Sequence, residues 1–285
     1  MKAFLGMGLL GSNFVRAMVK RGEQVQVWNR TASRAQELEP LGVRVLLSPA
    51  EAVQGAEMIH ITLKDDASVD EVLAAAAGGL QPGAIIIDHT TTSKEGAIQR
   101  SNTWKERGFH YQHAPVFMGP ANALECSGFM LLSGDPSLIQ KLEPALSKMT
   151  GKLLHFGDEL GKAAAIKLAG NAFLVSLTFG LRDTLLLSQA LGLSVDDLST
   201  LFSSWNPGQS LNARLKRMTS GDLRQPSWEL NMARKDMQLF LNTAAHNNRE
   251  LSLMPVIAAI ADEWIEKGYG HFDWTVVGRS EDEIL

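Results

Sequence analysis

The sequence has little cysteine and no marked excess of charge of either sign. Its single cysteine, Cys126, excludes a disulfide within the chain, which is typical of a reducing compartment, so we expect the protein in the cytoplasm. Lysine and arginine number 27 against 31 aspartate and glutamate, a net charge of -4. No block of like charge marks a surface for nucleic acid or for a membrane, and we expect neither partner.

Metal-binding motifs and an uninterrupted apolar span are also missing. Neither CxxC nor HExxH occurs and the seven histidines are scattered, so no metal site is predicted. The most apolar segment, residues 163–187, is interrupted by Lys167, Asn171, Arg182 and Asp183, which argues against a membrane span. We expect it to be a buried helix of a globular fold.

Short β-rich runs alternate with helical stretches over about the first 157 residues. The runs cover residues 3–5, 24–28, 43–46, 58–63, 85–88, 129–132 and 153–156. This alternation predicts a parallel sheet with crossover helices, and after Gly157 only helical periodicity continues. The predicted fold class is α/β: an N-terminal Rossmann domain over residues 1–158, then an all-α domain over residues 159–285, joined by one long helix over roughly residues 160–190.

A glycine-rich loop follows the first predicted strand and opens a helix. It reads Gly6-Met7-Gly8-Leu9-Leu10-Gly11, a GxGxxG motif. In such a motif one glycine makes the tight turn, one lets the backbone approach a pyrophosphate and one lets the helix pack on the strand. The helix N-terminus then offers free N–H groups to the phosphates. The strand, turn, helix, strand order favours a dinucleotide site over an ordinary tight turn.

The end of the second predicted strand carries basic and polar residues where NAD-binding folds have a carboxylate for the ribose. It reads Asn29-Arg30-Thr31, and no aspartate or glutamate occurs before Glu37. Arg30 can pair with a 2′-phosphate, and Asn29 and Thr31 can hydrogen-bond it. We therefore expect NADPH as the cofactor. The alternative is that Arg30 and Arg34 only solvate a loop.

A lysine interrupts the apolar sequence of the predicted long helix. The stretch reads GKAAAIKLAGN, and Lys167 and Asn171 lie four residues apart on one helix face. Such a pair can hold one oxygen atom of a substrate. Alternatively, Lys167 extends along the helix surface to solvent, and the spacing alone leaves both interpretations open.

Seven separated segments match, in order, the motifs of one known family. They are FLGMGLLGSNFVRAMVKRGEQVQVWNRT, ITLKDD, DHTTTS, HAPVFMGPANALECSGFMLLSGD, GKAAAIKLAGN, ARKDMQLFL and MPVIAAIADEWIEKGYGHFDW. With them the chain resembles, over nearly its whole length, the β-hydroxyacid dehydrogenases, which include 3-hydroxyisobutyrate dehydrogenase and the glyoxylate and succinic semialdehyde reductases. The resemblance implies that Lys167 is the catalytic lysine and Asn171 its companion.

The same resemblance implies further cofactor contacts. Leu63 and Lys64 match the position where the family's backbone passes the cofactor, although a proline is common at the position of Lys64. Thr91 and Lys235 would lie near the nicotinamide end. Without the resemblance, Thr91 would be a turn residue and Lys235 an exposed helix charge.

One segment departs from the family's pattern. The family usually has Asp-Ala-Pro-Val-Ser-Gly-Gly, which holds a substrate carboxylate, but this chain reads HAPVFMG. Phe117, Met118 and Gly119 then form the predicted substrate wall, which lacks the serine hydroxyl and is larger and more apolar. A bulkier or less charged carbonyl compound becomes a candidate substrate.

These features predict an NADPH-dependent oxidoreductase that reduces a small aldehyde or keto acid to the hydroxy acid. Lys167 would donate the proton and, when neutral, accept it in the reverse direction. Two alternatives stay open: an imine reductase, because an apolar wall would accept an uncharged C=N group, and a non-catalytic NADPH-binding module, because a fold alone does not establish activity. Apolar stretches at residues 237–241 and 251–260 predict a homodimer.

Overall fold

A parallel sheet organises the first part of the chain in a computed structural model that describes residues 1–284. Its strands are β1 (Lys2–Leu5), β2 (Val25–Trp28), β3 (Arg44–Val45), β4 (Met58–Ile61), β5 (Ile85–Asp88) and β6 (His110–His113). Their order is β3-β2-β1-β4-β5-β6, with every neighbouring pair parallel. The strand order reverses between β1 and β4, and ligands of such sheets bind at the carboxyl ends of the strands beside that point. The predicted Rossmann fold is confirmed.

The central strands are apolar on both faces because helices cover both sides of the sheet. Phe4 and Ile87 pack into one buried layer and Leu5 and Ile86 into the other, and all four are fully or almost fully buried. The helices of this part are α1 (Leu9–Lys20), α2 (Ala32–Gln36), α3 (Pro49–Val53), α4 (Asp66–Ala76), α5 (Lys94–Glu106), α6 (Pro120–Glu125) and α7 (Pro136–Leu146).

A second, smaller sheet contains two of the strands that the sequence assigned to the main sheet. It consists of β7 (Val116–Phe117), β8 (Phe129–Leu132) and β9 (Lys152–His155), in the order β7-β8-β9. β7 is antiparallel to β8, whereas β8 and β9 are parallel. At two residues, β7 is too short to show an alternating pattern in the sequence. Its pairing fixes the backbone of the predicted substrate segment.

The rest of the chain is helical, as predicted. The helices are α8 (Lys162–Ala190), α9 (Val195–Ser204), α10 (Leu211–Ser220), α11 (Leu230–His246) and α12 (Met254–Trp264). A π-helical turn follows α12 at Ile265–Tyr269, and the longest 3₁₀ turn beyond it is Trp274–Gly278. Leu230, Ala233 and Val276 belong to the buried core of this part.

The chain divides into two compact units, Met1–Ala172 and the residues from Phe173 onward. The division lies inside α8, whereas the sequence analysis places the domain boundary before this helix, between residues 158 and 159. That boundary stays a prediction, and Leu285, the last residue of the predicted second domain, lies outside the described residues.

α8 is long and apolar enough, by length and composition alone, to cross a membrane. It has 29 residues, and its most apolar window has a mean hydropathy of 1.5 and is only 11% buried, so the expectation that this segment is a buried helix is wrong. However, Asp183 of this helix accepts hydrogen bonds from the backbone N–H groups of Ser252, Leu253 and Met254 at 2.8, 2.8 and 3.0 Å. This carboxylate caps the start of α12, and it thereby connects the C-terminal part of α8 to α12 within the second unit. The absence of a membrane partner stays our prediction.

Candidate active site

The glycine loop between β1 and α1 is shaped by two close backbone approaches. Gly6 has a φ of +100°, and a Cβ there would lie 2.1 Å from the carbonyl oxygen of Thr62. A Cβ at Gly11 would lie 2.0 Å from the carbonyl oxygen of Gly6. A Cβ at Gly8 would meet nothing within 4 Å, so this position faces open space. Gly8 is the N-cap of α1 and provides no side-chain cap, which leaves the first N–H groups of the helix for an anion.

Among the polar residues after β2, Asn29 stabilises the glycine loop, whereas Arg30 and Arg34 are exposed to solvent. Asn29 accepts a hydrogen bond from the Met7 backbone N–H at 2.8 Å and donates one to the Thr31 carbonyl at 2.8 Å. Its side chain therefore shapes the loop, a role that the sequence did not indicate. Arg30 and Arg34 are exposed, and neither forms an ion pair within residues 1–284.

A cavity of about 520 Å³ lies against this loop. Its lining includes many of the predicted cofactor residues: Gly6, Gly8, Leu9, Leu10, Asn29, Arg30, Thr31, Leu63 and Lys64. Arg34 and one carboxylate, Glu71 of α4, also line it. The volume lies in the range typical of small-molecule sites. Met7 and Gly11 are buried and support the loop from behind.

A second cavity, of about 210 Å³, shares four lining residues with the first: Leu10, Thr62, Leu63 and Lys64. Its remaining lining residues come from the segment after β5, from β7 and the residue after it, and from α8: His89, Thr90, Thr91, Val116, Met118 and Lys167. The predicted nicotinamide-end residue Thr91 and the predicted catalytic lysine thus share one cavity. The two cavities are therefore neighbours at the carboxyl edge of the sheet.

Lys167 is buried, with 8% of its surface exposed. Its Nζ donates a hydrogen bond to Asn171 Oδ1 at 2.9 Å and lies 4.0 Å from the centre of the Phe117 ring. Burial lowers its pKa from the ordinary value, because a charged ammonium loses hydration there. In the described part of the chain no carboxylate forms an ion pair with it. The pairing of Lys167 with Asn171 across one helical turn follows the sequence prediction.

The predicted substrate segment places its three residues differently. Met118 lines the smaller cavity, whereas the Phe117 ring packs against α8 at Lys167 and Gly170. The Gly119 N–H donates a hydrogen bond to Asn122 Oδ1 at 2.8 Å, which closes the first turn of α6. The backbone of Gly119 therefore stabilises the start of α6 in this structure.

Lys235 lies in the second unit, on α11. Its Nζ forms an ion pair with Asp236 at 3.0 Å, and 56% of its side chain is exposed. A contact of this lysine with the cofactor stays a prediction that rests on the resemblance.

A buried network that the sequence did not indicate holds the turn after β5. Asp88 accepts hydrogen bonds from the Thr90 N–H at 2.9 Å and from the Tyr111 hydroxyl at 2.6 Å. The Tyr111 oxygen in turn accepts one from Arg100 at 3.0 Å. Thr90 Oγ1 accepts a hydrogen bond from the Leu63 N–H at 3.0 Å, so the network connects both cavity-lining loops. The only available signal was an aspartate at a strand end.

Three histidines were also missed, because they are far apart in sequence. His60 Nδ1 lies 3.0 Å from His89 Nε2, and His89 Nδ1 lies 2.9 Å from the Ala114 carbonyl oxygen. His113 Nε2 lies 2.9 Å from the Thr90 carbonyl oxygen. Since a carbonyl only accepts, His89 must donate from Nδ1 and accept at Nε2, which makes His60 the donor. His89 and His113 thus connect the end of β5 and the residues after it to the end of β6 and the residues after it.

These histidines are held in the neutral form. Burial lowers the pKa of His89 to about 4, and burial likewise lowers the pKa of His60 and of His113. They do not form a metal centre: among the described residues no group of three or more His, Cys, Asp or Glu side chains could hold a metal ion.

Comparison with known proteins agrees with this architecture. Residues 2–157 match the family described as the NAD binding domain of 6-phosphogluconate dehydrogenase. The chain is 30% identical to glyoxylate/succinic semialdehyde reductase 2, chloroplastic, of Arabidopsis thaliana, over 95% of this chain and 75% of that protein. It is 25% identical to the 3-sulfolactaldehyde reductase of Escherichia coli, over 96% of this chain and 93% of that protein.

A solved structure shows the same fold over the whole length. An imine reductase from Myxococcus stipitatus in complex with NADP+ superimposes with a TM-score of 0.88, at 21% identity, covering 97% of this chain and 98% of that chain. At this identity the likeness concerns the fold alone.

The buried histidines predict an acid-sensitive fold. A histidine with a folded pKa near 4 and an unfolded pKa near 6.5 stabilises the native state fully above about pH 6.5, and this contribution is lost as the pH falls towards 4. For His89 the loss reaches about 2 kcal/mol at pH 5. We expect His89→Gln, which keeps an amide donor for Ala114, to reduce the pH dependence of the free energy of unfolding by about one proton. Urea unfolding at pH 5, 6 and 7 measures it.

His246→Gln is the matched control, because His246 is exposed on α11. It should leave the pH dependence of unfolding as in the unmodified protein. An NMR titration of the histidines gives the pKa of His89 directly. A value near 6.5, or an equal pH slope in both variants, would contradict the assignment.

Proposed function

Because the chain belongs to the β-hydroxyacid dehydrogenase family, whose members are NAD(P)-dependent oxidoreductases, we propose that it reduces a small aldehyde or keto acid with NADPH and that Lys167 donates the proton. The observation that carries the proposal is the position of a buried lysine in a cavity that shares four lining residues with the glycine-loop cavity. The relatives named as semialdehyde and sulfolactaldehyde reductases support a small carbonyl substrate.

The residues around the larger cavity fit a dinucleotide. The uncapped N-terminus of α1 would bind the pyrophosphate, and the open side of Gly8 leaves room for it. Arg30 and Arg34 would bind the 2′-phosphate, since neither forms an ion pair in the described part of the chain. Asn29 would contribute indirectly, by fixing Met7. When bound, NADPH supplies the hydride.

The proton transfer is assigned to Lys167. Its ammonium donates one N–H to Asn171 Oδ1, which fixes Nζ and leaves other N–H groups for a carbonyl oxygen. One N–H of the ammonium is hydrogen-bonded to the carbonyl oxygen of the substrate. As hydride adds to the carbonyl carbon, this N–H bond breaks and an O–H bond forms, and Lys167 becomes a neutral amine. Burial lowers the pKa of Lys167, which eases the release of the proton in reduction and raises the share of neutral amine that can accept a proton in oxidation.

The smaller cavity has a mixed lining, in which Val116 and Met118 are apolar and three threonines are polar. Its charged residue other than Lys167 is Lys64, which is exposed and paired with Asp65 at 3.5 Å. The two apolar side chains support a carbonyl compound with a hydrocarbon substituent. They also keep a second candidate open, reduction of a C=N bond, because an uncharged imine needs no carboxylate-binding hydroxyl.

We further propose that a second copy of the chain covers α8. Phe173, Leu174, Val175, Leu177 and Phe179 follow one another closely on this helix and are 47–57% exposed. An apolar surface of this kind is unusual for a monomer that stays in solution. A homodimer is the simplest closed arrangement that buries it.

Arg30→Ala tests the cofactor preference. Loss of a charged hydrogen-bonding partner should weaken NADPH binding by about 2–3 kcal/mol, roughly 30- to 150-fold, and leave NADH binding nearly unchanged. Dissociation constants for both cofactors measure this. Arg44→Ala, an exposed arginine outside the cavity lining, should change neither constant. A preference of the unmodified protein for NADH would contradict the assignment.

Lys167→Ala should lower kcat by about 10²- to 10⁴-fold because the proton donor is lost. NADPH binding should survive, since Nζ lies beyond the larger cavity. The assay is NADPH oxidation with glyoxylate, succinic semialdehyde and a cyclic imine, which also distinguishes carbonyl from imine reduction.

Lys162→Ala provides the control on the same helix, because Lys162 is exposed. Full turnover in Lys167→Ala would overturn the role of Lys167. Binding of NADPH without turnover of any of the three compounds by the unmodified protein would favour a non-catalytic module.

Light scattering in solution tests the homodimer. We expect a mass near twice the 31.0 kDa of one chain. Val175→Lys, which places a charge on the exposed face of α8, should shift the mass towards one chain. A single-chain mass for the unmodified protein would refute the dimer.

A further inference from the structure

The Phe117 ring is a feature of the site that the proposed reaction leaves without a role. β7 carries Phe117 opposite Phe129 of β8, so its backbone position is set by strand pairing. The ring extends to α8, where the Lys167 Nζ lies 4.0 Å from its centre. This is well inside the distance of about 6 Å at which an ammonium is attracted by a ring face.

The ring fits α8 only because residue 170 is glycine. A Cβ at Gly170 would lie 2.3 Å from the Cζ of Phe117 and 3.0 and 3.3 Å from its two Cε atoms. Contacts this short force the ring to move. Glycine also costs about 1 kcal/mol relative to alanine inside a helix, so its presence here calls for a packing reason.

The Lys167 ammonium is stabilised by neutral groups and not by a carboxylate in the described part of the chain. Within residues 1–284 its ammonium has a hydrogen bond to Asn171 and the ring of Phe117, and no carboxylate pairs with it. The other titratable groups that line the cavity are Lys64 and His89. Lys64 is paired with Asp65, and His89 is buried with its pKa lowered to about 4, so neither supplies a negative charge. On α8 itself, Lys162 is exposed.

We propose that Phe117 is a positioning residue for the proton donor: its ring face holds the Lys167 ammonium charged and in place, and Gly170 provides the space for the ring. This inference rests on the proposed function of Lys167. Asn171 accepts a hydrogen bond from one N–H of the ammonium, and the Phe117 ring attracts the ammonium from a second side. A further N–H is then free to donate to the substrate oxygen. After proton transfer the neutral amine loses the attraction of the ring, which favours reprotonation of Lys167 before the next turnover.

The direct test replaces Phe117 with phenylalanines of increasing fluorination, which keep the shape but weaken the negative charge of the ring face. Loss of the attraction lowers the pKa of Lys167, and reduction needs the protonated form. The basic limb of the kcat/KM profile should therefore move to lower pH, by about 0.4 to 1.5 units over the series. The pKa of Lys167, measured by NMR of labelled lysine in the cofactor-free protein, should move by the same amount.

Gly170→Ala tests the fit of the ring. It should displace the ring and reproduce the shift of the basic limb, whereas in a Phe117→Leu background it should add little. Gly180→Ala is the matched control, because Gly180 lies on the same helix and a Cβ there meets nothing within 4 Å. It should leave the pH profile unchanged.

The outcomes separate this inference from the proposed function. A basic limb that is present but does not move through the fluorinated series would overturn the role of Phe117 and leave Lys167 as proton donor. If Lys167→Ala keeps full turnover, the proposed function fails. The NMR pKa then still decides whether the ring holds the ammonium, and an unchanged pKa would refute that contact.

Discussion

Two backbone contacts hold the first turn of the Rossmann unit in place: Gly6 against the carbonyl of Thr62, and Gly11 against the carbonyl of Gly6. Any side chain at either position would push β1, α1 and the end of β4 apart. Because the backbones meet so closely, the N-terminus of α1 and the residues after β4 form the walls of one recess. The larger cavity, the lining residues that it shares with the smaller one and the exposure of the first N–H groups of α1 all depend on this approach.

The sequence was most informative where a local pattern carries a steric requirement. The glycines after β1, the four-residue spacing of Lys167 and Asn171, and the change from strand to helix periodicity after Gly157 all predicted observed structure. What it could not provide were contacts between distant segments. His60 and His89 meet across neighbouring strands, and Phe117 reaches Gly170 from a two-residue strand. The sequence also did not indicate that the Asn29 amide binds the loop itself, and its contact with the cofactor stays a prediction.

The carboxyl edge of the sheet combines different ways of holding buried polar groups. Asp88 is a buried carboxylate that is satisfied by the Thr90 N–H and the Tyr111 hydroxyl, with Arg100 behind the tyrosine. The histidines are kept neutral and use their ring nitrogens to bind each other or a carbonyl. Lys167 differs from both, because within residues 1–284 no carboxylate forms an ion pair with it. A cation held by neutral groups thus lies beside these networks, in the cavity where we propose that the reacting oxygen binds.

The fit of Phe117 against Gly170 also restricts the order in which these two residues can arise in evolution. With any larger residue at 170, the ring of a phenylalanine at 117 must leave the position that it has here. A lineage in which the ring takes this position must therefore already have the glycine, and a lineage that loses the glycine alone displaces the ring. Among relatives, the two positions should vary together although they are 53 positions apart in this chain. A serine at position 117 would release that restriction, and residue 170 could then vary freely.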